Sequence, residues 1–243
     1  MRAKHDLNLC GNRLLAAMRA KDKAAIKPFL VSRLVLAGQV LYEPGDDVEI
    51  TYFPCRGTMA SFLVISTDGR EVEAATIGHE GAIGGIVSAG HKPAYARAVV
   101  QIGGLALAIA TARLEEAKER SPALRDLFAR YADALLSQIM QSVACNALHP
   151  IEARCSRWLL STQDRVGDPS IPLTQAALAE MLGVQRTTVT AVAKALQARG
   201  LIRCRRGKFE ILDRSGIEAT ACECYSAVES HFARLLPETT GEV

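Results

Sequence analysis

Between Pro122 and His149 the chain runs for 26 residues without a proline or a glycine. A helix of that length is longer than most in globular proteins and reaches roughly 40 Å at about 1.5 Å per residue. Ser121 is suited to cap it, with Pro122 at the first helical position. Such a rod has to cover its apolar sides. Leu124, Phe128, Tyr131, Leu135, Gln138, Ser142 and Cys145 recur at alternating helical spacings, and a second apolar stripe runs through Leu136, Met140, Val143 and Ala147. Two stripes call for two partners, the chain's own N-terminal part and a second copy of the helix. A polar tail suits a seam between copies, because it sets register at some loss of stability. Leu124, Phe128, Tyr131, Leu135, Gln138 and Ser142 are therefore the expected dimerisation residues.

The helix divides two textures. On its N-terminal side, Asn12 is placed to cap a short helix, and Asp22 a second one ending before Pro28. Seven short, β-branched segments follow: Arg33–Ala37, Gln39–Tyr42, Glu49–Phe53, Ala60–Ile65, Arg70–Thr76, Ala96–Gln101 and Leu105–Ile109. Pro44-Gly45-Asp46-Asp47 and Asp68-Gly69 punctuate them, the latter as a two-residue hairpin turn. This spacing predicts an antiparallel sandwich or roll. Thr111 can cap a further helix, 112–120.

On the C-terminal side, His149-Pro150 breaks the rod and a helix spans Ile151–Arg165. After the turn-rich Val166–Ser170, residues Leu173–Arg199 form two short amphipathic helices around Leu182-Gly183-Val184. This is the pattern of a helix-turn-helix, which lays its second helix in the major groove of DNA. Thr174 is the natural cap of the first helix, and Gly183 supplies the permissive backbone for the turn. In the second helix Val189, Val192 and Leu196 face inward, leaving Gln185, Arg186, Thr187, Thr188, Thr190 and Ala191 for the groove. Arg186 alone among these can bind guanine O6 and N7 in bidentate fashion, and the threonines can meet a thymine methyl or a phosphate. Residues 200–212 read as a hairpin turning near Arg206-Gly207, so the unit is a winged helix-turn-helix. Lys194, Arg205, Arg206 and Lys208 suit sequence-blind backbone contacts. The segment from Asp213 to Leu236 closes the chain as a helix.

Charge agrees. Residues 171–210 hold seven basic and two acidic side chains, while the whole chain carries only +3. The excess sits in one region, as expected for a polyanion partner of that region alone. The first ten residues are polar, and the longest apolar run, 102–112, is too short to span a bilayer, so neither export nor membrane insertion is expected. Seven scattered cysteines without a C-x2-C pair fit reduced thiols in a cytoplasm rather than a disulfide framework. Cys222 and Cys224, two apart on a helix, would point to different faces, so no metal site is expected.

The order of parts resembles the cAMP receptor protein/fumarate–nitrate regulator (Crp/Fnr) family of transcription factors over residues 12–236. The resemblance rests on Gly38–Asp46, Gly81-Ala82-Ile83-Gly84, the long helix, and Leu173–Leu196 with its Arg186-x-x-Val189 core. It implies an α+β chain in three parts: a cyclic-nucleotide-binding-type β-roll with N-terminal helices over 1–120, a dimerisation helix over 121–148 and a winged helix-turn-helix over 149–243. It also implies a homodimer on a palindromic DNA operator, with RNA polymerase as a further partner. Of three base-reading positions typical of the family, Arg186 is kept, whereas Thr187 and Ala191 replace an acidic and a basic residue.

By the same resemblance the effector pocket would involve Ile83, Gly84, Gly85, Tyr95, Arg97, Ile139 and Met140. Gly85 stands where nucleotide binders have the ribose-binding glutamate, Ala94-Tyr95 replaces the phosphate-binding Arg-Ser pair, and Ile139-Met140 replaces the adenine-binding hydroxyls. A buried phosphate without a cation is costly, so tight cAMP binding is not expected unless Arg97 supplies the charge. Only Cys10 remains of the family's clustered iron–sulfur thiols. No cofactor is expected, with His79 and His91 as the candidates should a haem be present. A sequence-specific DNA-binding regulator is the leading reading. The alternative is a ligand-binding module that acts on a protein. An enzyme is disfavoured, because His79-Glu80 and His149 lack a nucleophile or ligand partner at meaningful spacing.

Overall fold

The structure, a computed structural model, describes residues 10–86 and 92–236. Two short helices, α1 (Arg13–Ala16) and α2 (Ala20–Ile26), precede seven strands: β1 (Val31–Val35), β2 (Val40–Tyr42), β3 (Ile50–Pro54), β4 (Met59–Ile65), β5 (Glu71–Ile77), β6 (Arg97–Ile102) and β7 (Gly104–Ala110). All pair antiparallel, in two sheets ordered β1-β7-β3 and β2-β6-β4-β5. Asn12 caps α1 by accepting from the Leu15 N–H and donates to Pro54 and Gly81 carbonyls, which fixes this lid on the roll. Asp22 lies within the first turn of α2 rather than capping it. The β4–β5 turn has three residues, Thr67–Gly69, not two. The Ser66 N–H donates to the Arg70 carbonyl at 2.9 Å, and Gly69 takes the left-handed conformation that such a loop requires.

Helix α3 (Thr111–Arg120) leads into α4 (Pro122–Leu148). Thr111 does not cap α3, because its hydroxyl is engaged with that of Thr51 at 3.1 Å; Ser121 does cap α4. The first stripe of α4 packs on the chain's own roll. Leu124, Leu127, Phe128 and Tyr131 are buried; the Tyr131 hydroxyl accepts from the Ala82 N–H and donates to the Ala82 carbonyl, both at 3.0 Å. Gln138 donates to the Thr76 carbonyl at 3.1 Å. The side chains expected at a dimer seam, Leu124, Phe128, Tyr131, Leu135, Gln138 and Ser142, thus belong to the intramolecular side, with the first three and Gln138 buried and Leu135 and Ser142 partly so. The open apolar face is the second stripe, where Leu136, Met140 and Val143 are 52%, 58% and 66% exposed. Periodicity could not tell the stripes apart, because both are apolar and the polar tail of the first finds its partner on β5.

After His149 come α5 (Ile151–Val166), β8 (Ser170–Ile171), α6 (Gln175–Leu182), α7 (Arg186–Ala198), β9 (Ile202–Arg205), β10 (Lys208–Ile211), α8 (Arg214–Thr220) and α9 (Cys224–Leu235). β8, read as part of a turn, joins the wing as a third strand, in order β8-β10-β9. The core of this unit is continuous with the roll: Met59, Leu63 and Ile102 pack in one cluster with Trp158, Leu159, Leu178 and Met181. The single closing helix expected from Asp213 to Leu236 is broken at 221–223, where Ala221 is extended. Helix α9 starts against the winged unit, where Tyr225 donates to Asp164 at 2.7 Å, and then leaves it: Phe232 and Leu236 join the core of the lid and α4, and Arg130 donates to the Leu235 carbonyl at 2.9 Å. Cys10 and Cys55 form a disulfide with Cα atoms 4.5 Å apart, contrary to the expectation of reduced thiols throughout. The lid brings them together across 45 residues of sequence, a contact that spacing alone does not reveal.

Candidate nucleic-acid interface

The helix-turn-helix is built by local chemistry. Thr174 accepts from the Ala177 N–H at 3.1 Å, opening α6 with free N–H groups, and Gly183 closes it in the left-handed conformation (φ 65°). Val189, Val192, Ala193 and Leu196 bury one face of α7. The opposite face presents Gln185, Arg186, Thr187, Ala191 and Lys194 to solvent, with Thr188 and Thr190 half-buried. The Thr190 hydroxyl is committed within the motif, donating to Gln175 on α6 at 2.8 Å. It braces the two helices, so its methyl rather than its hydroxyl is left for a base.

A groove of about 470 Å3 runs between the start of α6, the start of α7 and the wing. Thr174, Arg186, Arg205, Arg206 and Lys208 line it together. Sequence reading named these residues singly; the β9–β10 hairpin, turning at Gly207 with Lys208 opposite Arg205, brings them to one concave surface. Arg203 belongs to the same strand but is held by Glu210 at 3.0 Å. Lys194 is exposed farther along α7 and does not line the groove. This arrangement can hold a polyanion: a helix N-terminus and three wing cations flank the one guanidinium placed to enter a groove.

Two carboxylates, Glu80 buried and Glu73 half-buried, join the winged unit to the roll. Glu80 accepts from Arg165 Nε on α5 at 2.8 Å and from the Gly78 N–H at 3.0 Å. Burial pushes its pKa up, but Arg165, the Gly78 N–H and His79 outweigh that, and the carboxyl sits below its ordinary range. Glu73 on β5 accepts from Ser61 at 2.6 Å and from Trp158 Nε1 at 3.0 Å. Here burial dominates and raises the carboxyl. His79, the haem candidate, is buried beside this seam against a cavity of about 30 Å3, with no space for a macrocycle. His91, the other candidate, lies outside the described residues.

A cavity of about 440 Å3 opens between the roll and α4. Its walls include Tyr42, Phe62, Ala94, Tyr95, Leu135 and Ile139, with Gly84 and Leu136. Of the expected pocket residues, Gly84, Tyr95 and Ile139 line it. Ile83 does not; it is buried and bridges to Tyr52. Gly85 faces Phe128 and Ala82, and Met140 stands on the open face of α4. Arg97 is taken by Glu43 at 2.8 Å and by Glu71, so it offers this cavity no charge. Burial raises the Tyr42 phenol and keeps it protonated.

The thiols of Cys222 and Cys224 do not diverge. The break at 221–223 leaves Cys222 ahead of α9, and both sulfurs meet Cys145 from the last turn of α4 and His149 from its end. The ligand atoms of these four residues lie within 4.8 Å of one another.

A family model described as the Crp-like helix-turn-helix domain matches residues 153–220. No curated protein matches the chain in sequence. Among solved structures, FixK2 from Bradyrhizobium japonicum is similar with a TM-score of 0.67 at 15% identity, over 79% of this chain and 98% of that one. TTHA1359, a transcriptional regulator of the CRP/FNR family from Thermus thermophilus, reaches 0.62 at 20% identity, over 78% and 97%. The c-di-GMP-responsive global regulator CLP of Xanthomonas campestris reaches 0.63 at 16% identity, over 79% and 99%. These likenesses establish the fold along most of the chain, and the family match establishes the character of the domain at 153–220.

Proposed function

We propose that this chain, which carries a Crp-like helix-turn-helix domain and a fold like that of solved Crp/Fnr-family regulators, is a DNA-binding regulator that binds a palindromic operator as a homodimer. Arg186 reads a guanine in each half-site, Thr187 and Thr188 meet neighbouring methyl groups or phosphates, and Arg205, Arg206 and Lys208 hold the backbone. The observation that carries this reading is the single groove shared by Arg186, the α6 N-terminus and the wing cations. The open stripe Leu136, Met140 and Val143 supports pairing of α4 with a second copy. RNA polymerase is the protein partner this role implies, and no helix among the described residues is long and apolar enough to cross a membrane.

The roll cavity suits an uncharged, largely apolar effector. Among the described residues no cation lines it, so these walls offer a cyclic phosphate no partner. In vitro selection with the purified protein should return an inverted repeat. Arg186→Ala should lose preference at one guanine per half-site, worth about 1–3 kcal/mol for a bidentate contact. Unchanged preference in that variant would remove Arg186 from the reading, and absence of salt-dependent DNA binding would turn the chain into a module that acts on a protein.

A further inference from the structure

We propose that Cys145, His149, Cys222 and Cys224 form a tetrahedral zinc site that clamps the end of the long helix to the segment leaving the winged domain.

The donor set is three thiols and one imidazole, the Cys3His combination of structural zinc sites. The residues come from two stretches 77 residues apart, so their meeting is a product of the fold, not of local spacing. Cys145 Sγ and Cys222 Sγ are 3.5 Å apart, as are Cys224 Sγ and His149 Nδ1. A zinc ion about 2.3 Å from sulfur and about 2.0 Å from imidazole nitrogen sets tetrahedral neighbours roughly 3.5–3.8 Å apart. Two of the pairs already stand at that spacing, and all the ligand atoms lie within 4.8 Å of one another.

The surroundings are those of a ligand set. His149 presents Nδ1 to the sulfurs while its Nε2 faces the Glu223 carboxylate at 3.2 Å. A carboxylate on the far nitrogen orients a metal-bound imidazole and fixes which nitrogen carries the lone pair. Gln141 Nε2 donates to Cys224 Sγ at 3.0 Å, the kind of amide contact that steadies a thiolate. Cys145, Cys222 and Cys224 are buried together with Ala153 beside them. Arg154 and Arg157 on α5 place positive charge near Cys145, which offsets the net negative charge of zinc with three thiolates. Cys155 and Cys204, the other free cysteines, stand outside the cluster.

Soft thiolates with one imidazole in a tetrahedron select zinc over magnesium, calcium or manganese. Binding releases the thiol protons to solvent and transfers no electron. The ion would tie both ends of the winged domain to one point on α4. The site stands on its own geometry, so its failure would leave the DNA-reading proposal untouched.

Reduced full-length protein should carry one zinc per protomer by elemental analysis. After chelation and cobalt(II) addition, it should show thiolate-to-cobalt charge transfer and the intense ligand-field bands of a tetrahedral ion, both displaced by zinc. Cys145→Ser, Cys222→Ser and Cys224→Ser should each lose this spectrum, and Cys204→Ser should keep it. Should the thiol variants fold poorly, Glu223→Gln and Gln141→Ala leave every ligand in place and should weaken zinc about tenfold or more. Cobalt bands that persist in Cys145→Ser, or zinc affinity unchanged in Glu223→Gln, would overturn the proposal. So would a labile-sulfide chromophore, or reduced protein that takes up no metal and on exposure to air forms a Cys145–Cys222 disulfide.

Discussion

Arg165 donates to Glu80 across 2.8 Å in the seam between roll and winged unit, with only 6% and 11% of the two side chains exposed. A charge pair removed from water to this degree holds as a pair, and loss of one partner strands the other. Arg165 keeps the Ser161 carbonyl at 2.8 Å, which softens the loss. Glu80→Gln should therefore destabilise the protein by about 3 kcal/mol, the lower end for a broken buried pair, as read by denaturant unfolding.

The same seam should give stability two opposed dependences on pH. Glu80 has a folded pKa below its ordinary 4.5, so its contribution is complete above that value and is lost as pH falls through the lowered one. Glu73 has a raised folded pKa, so its contribution is complete below 4.5 and is lost as pH rises through the raised value. Glu73→Gln should flatten the decline on the alkaline side and leave the acid limb intact, and Glu80→Gln should do the reverse. Thermal melts of the three proteins across the acid-to-neutral range check this; parallel curves would contradict it.

Salt dependence of DNA binding should separate the wing arginines. Arg205 and Arg206 are exposed on the groove, whereas Arg203 is paired with Glu210. Arg205→Ala and Arg206→Ala should each reduce the slope of log affinity against log salt by about 1 and weaken all sequences alike. Arg203→Ala should leave the slope unchanged.

The two stripes of α4 should fail in different ways. Met140→Glu and Val143→Glu place charge on the open face and should shift the protein toward monomer in sedimentation equilibrium, with the melting temperature of the protomer little changed. Tyr131→Phe removes both bonds to Ala82 and should lower stability by about 1–3 kcal/mol without altering association.

Gly183→Ala tests the turn. A Cβ there would meet nothing nearer than Val72 at 3.7 Å, so the cost is conformational rather than steric. A loss of about 1 kcal/mol is expected from the left-handed backbone alone.

What could be read from the chain beforehand was whatever short-range chemistry determines. Ser121-Pro122 marks the start of α4, Thr174 and Gly183 bound α6, and the roll strands lie between turns built by glycine and aspartate. Facing partners are another matter. Nothing local says that Gln138 will find Thr76 or that Cys10 will find Cys55. The helix break at 221–223 contains neither proline nor glycine, so the convergence of Cys222 with Cys145 left no mark in the pattern. Arg97 illustrates the same limit. Its position suggested a phosphate ligand, but Glu43 and Glu71 lie 54 and 26 residues away in the chain and claim it.

Because α9 returns to α4, the chain passes into the winged unit and out of it at almost the same spot, beside Cys145 and His149. Residues 150–221 are in this sense a cassette inserted between two helices of a closed body. A segment with adjoining ends can be exchanged for another of the same end-to-end distance without rethreading its host. A chimaera that grafts a foreign DNA-reading domain between Pro150 and Ala221 should keep the roll, α4 and α9 assembled when the graft again covers Met59, Leu63 and Ile102 and supplies Glu73 and Glu80 with partners in place of Trp158 and Arg165.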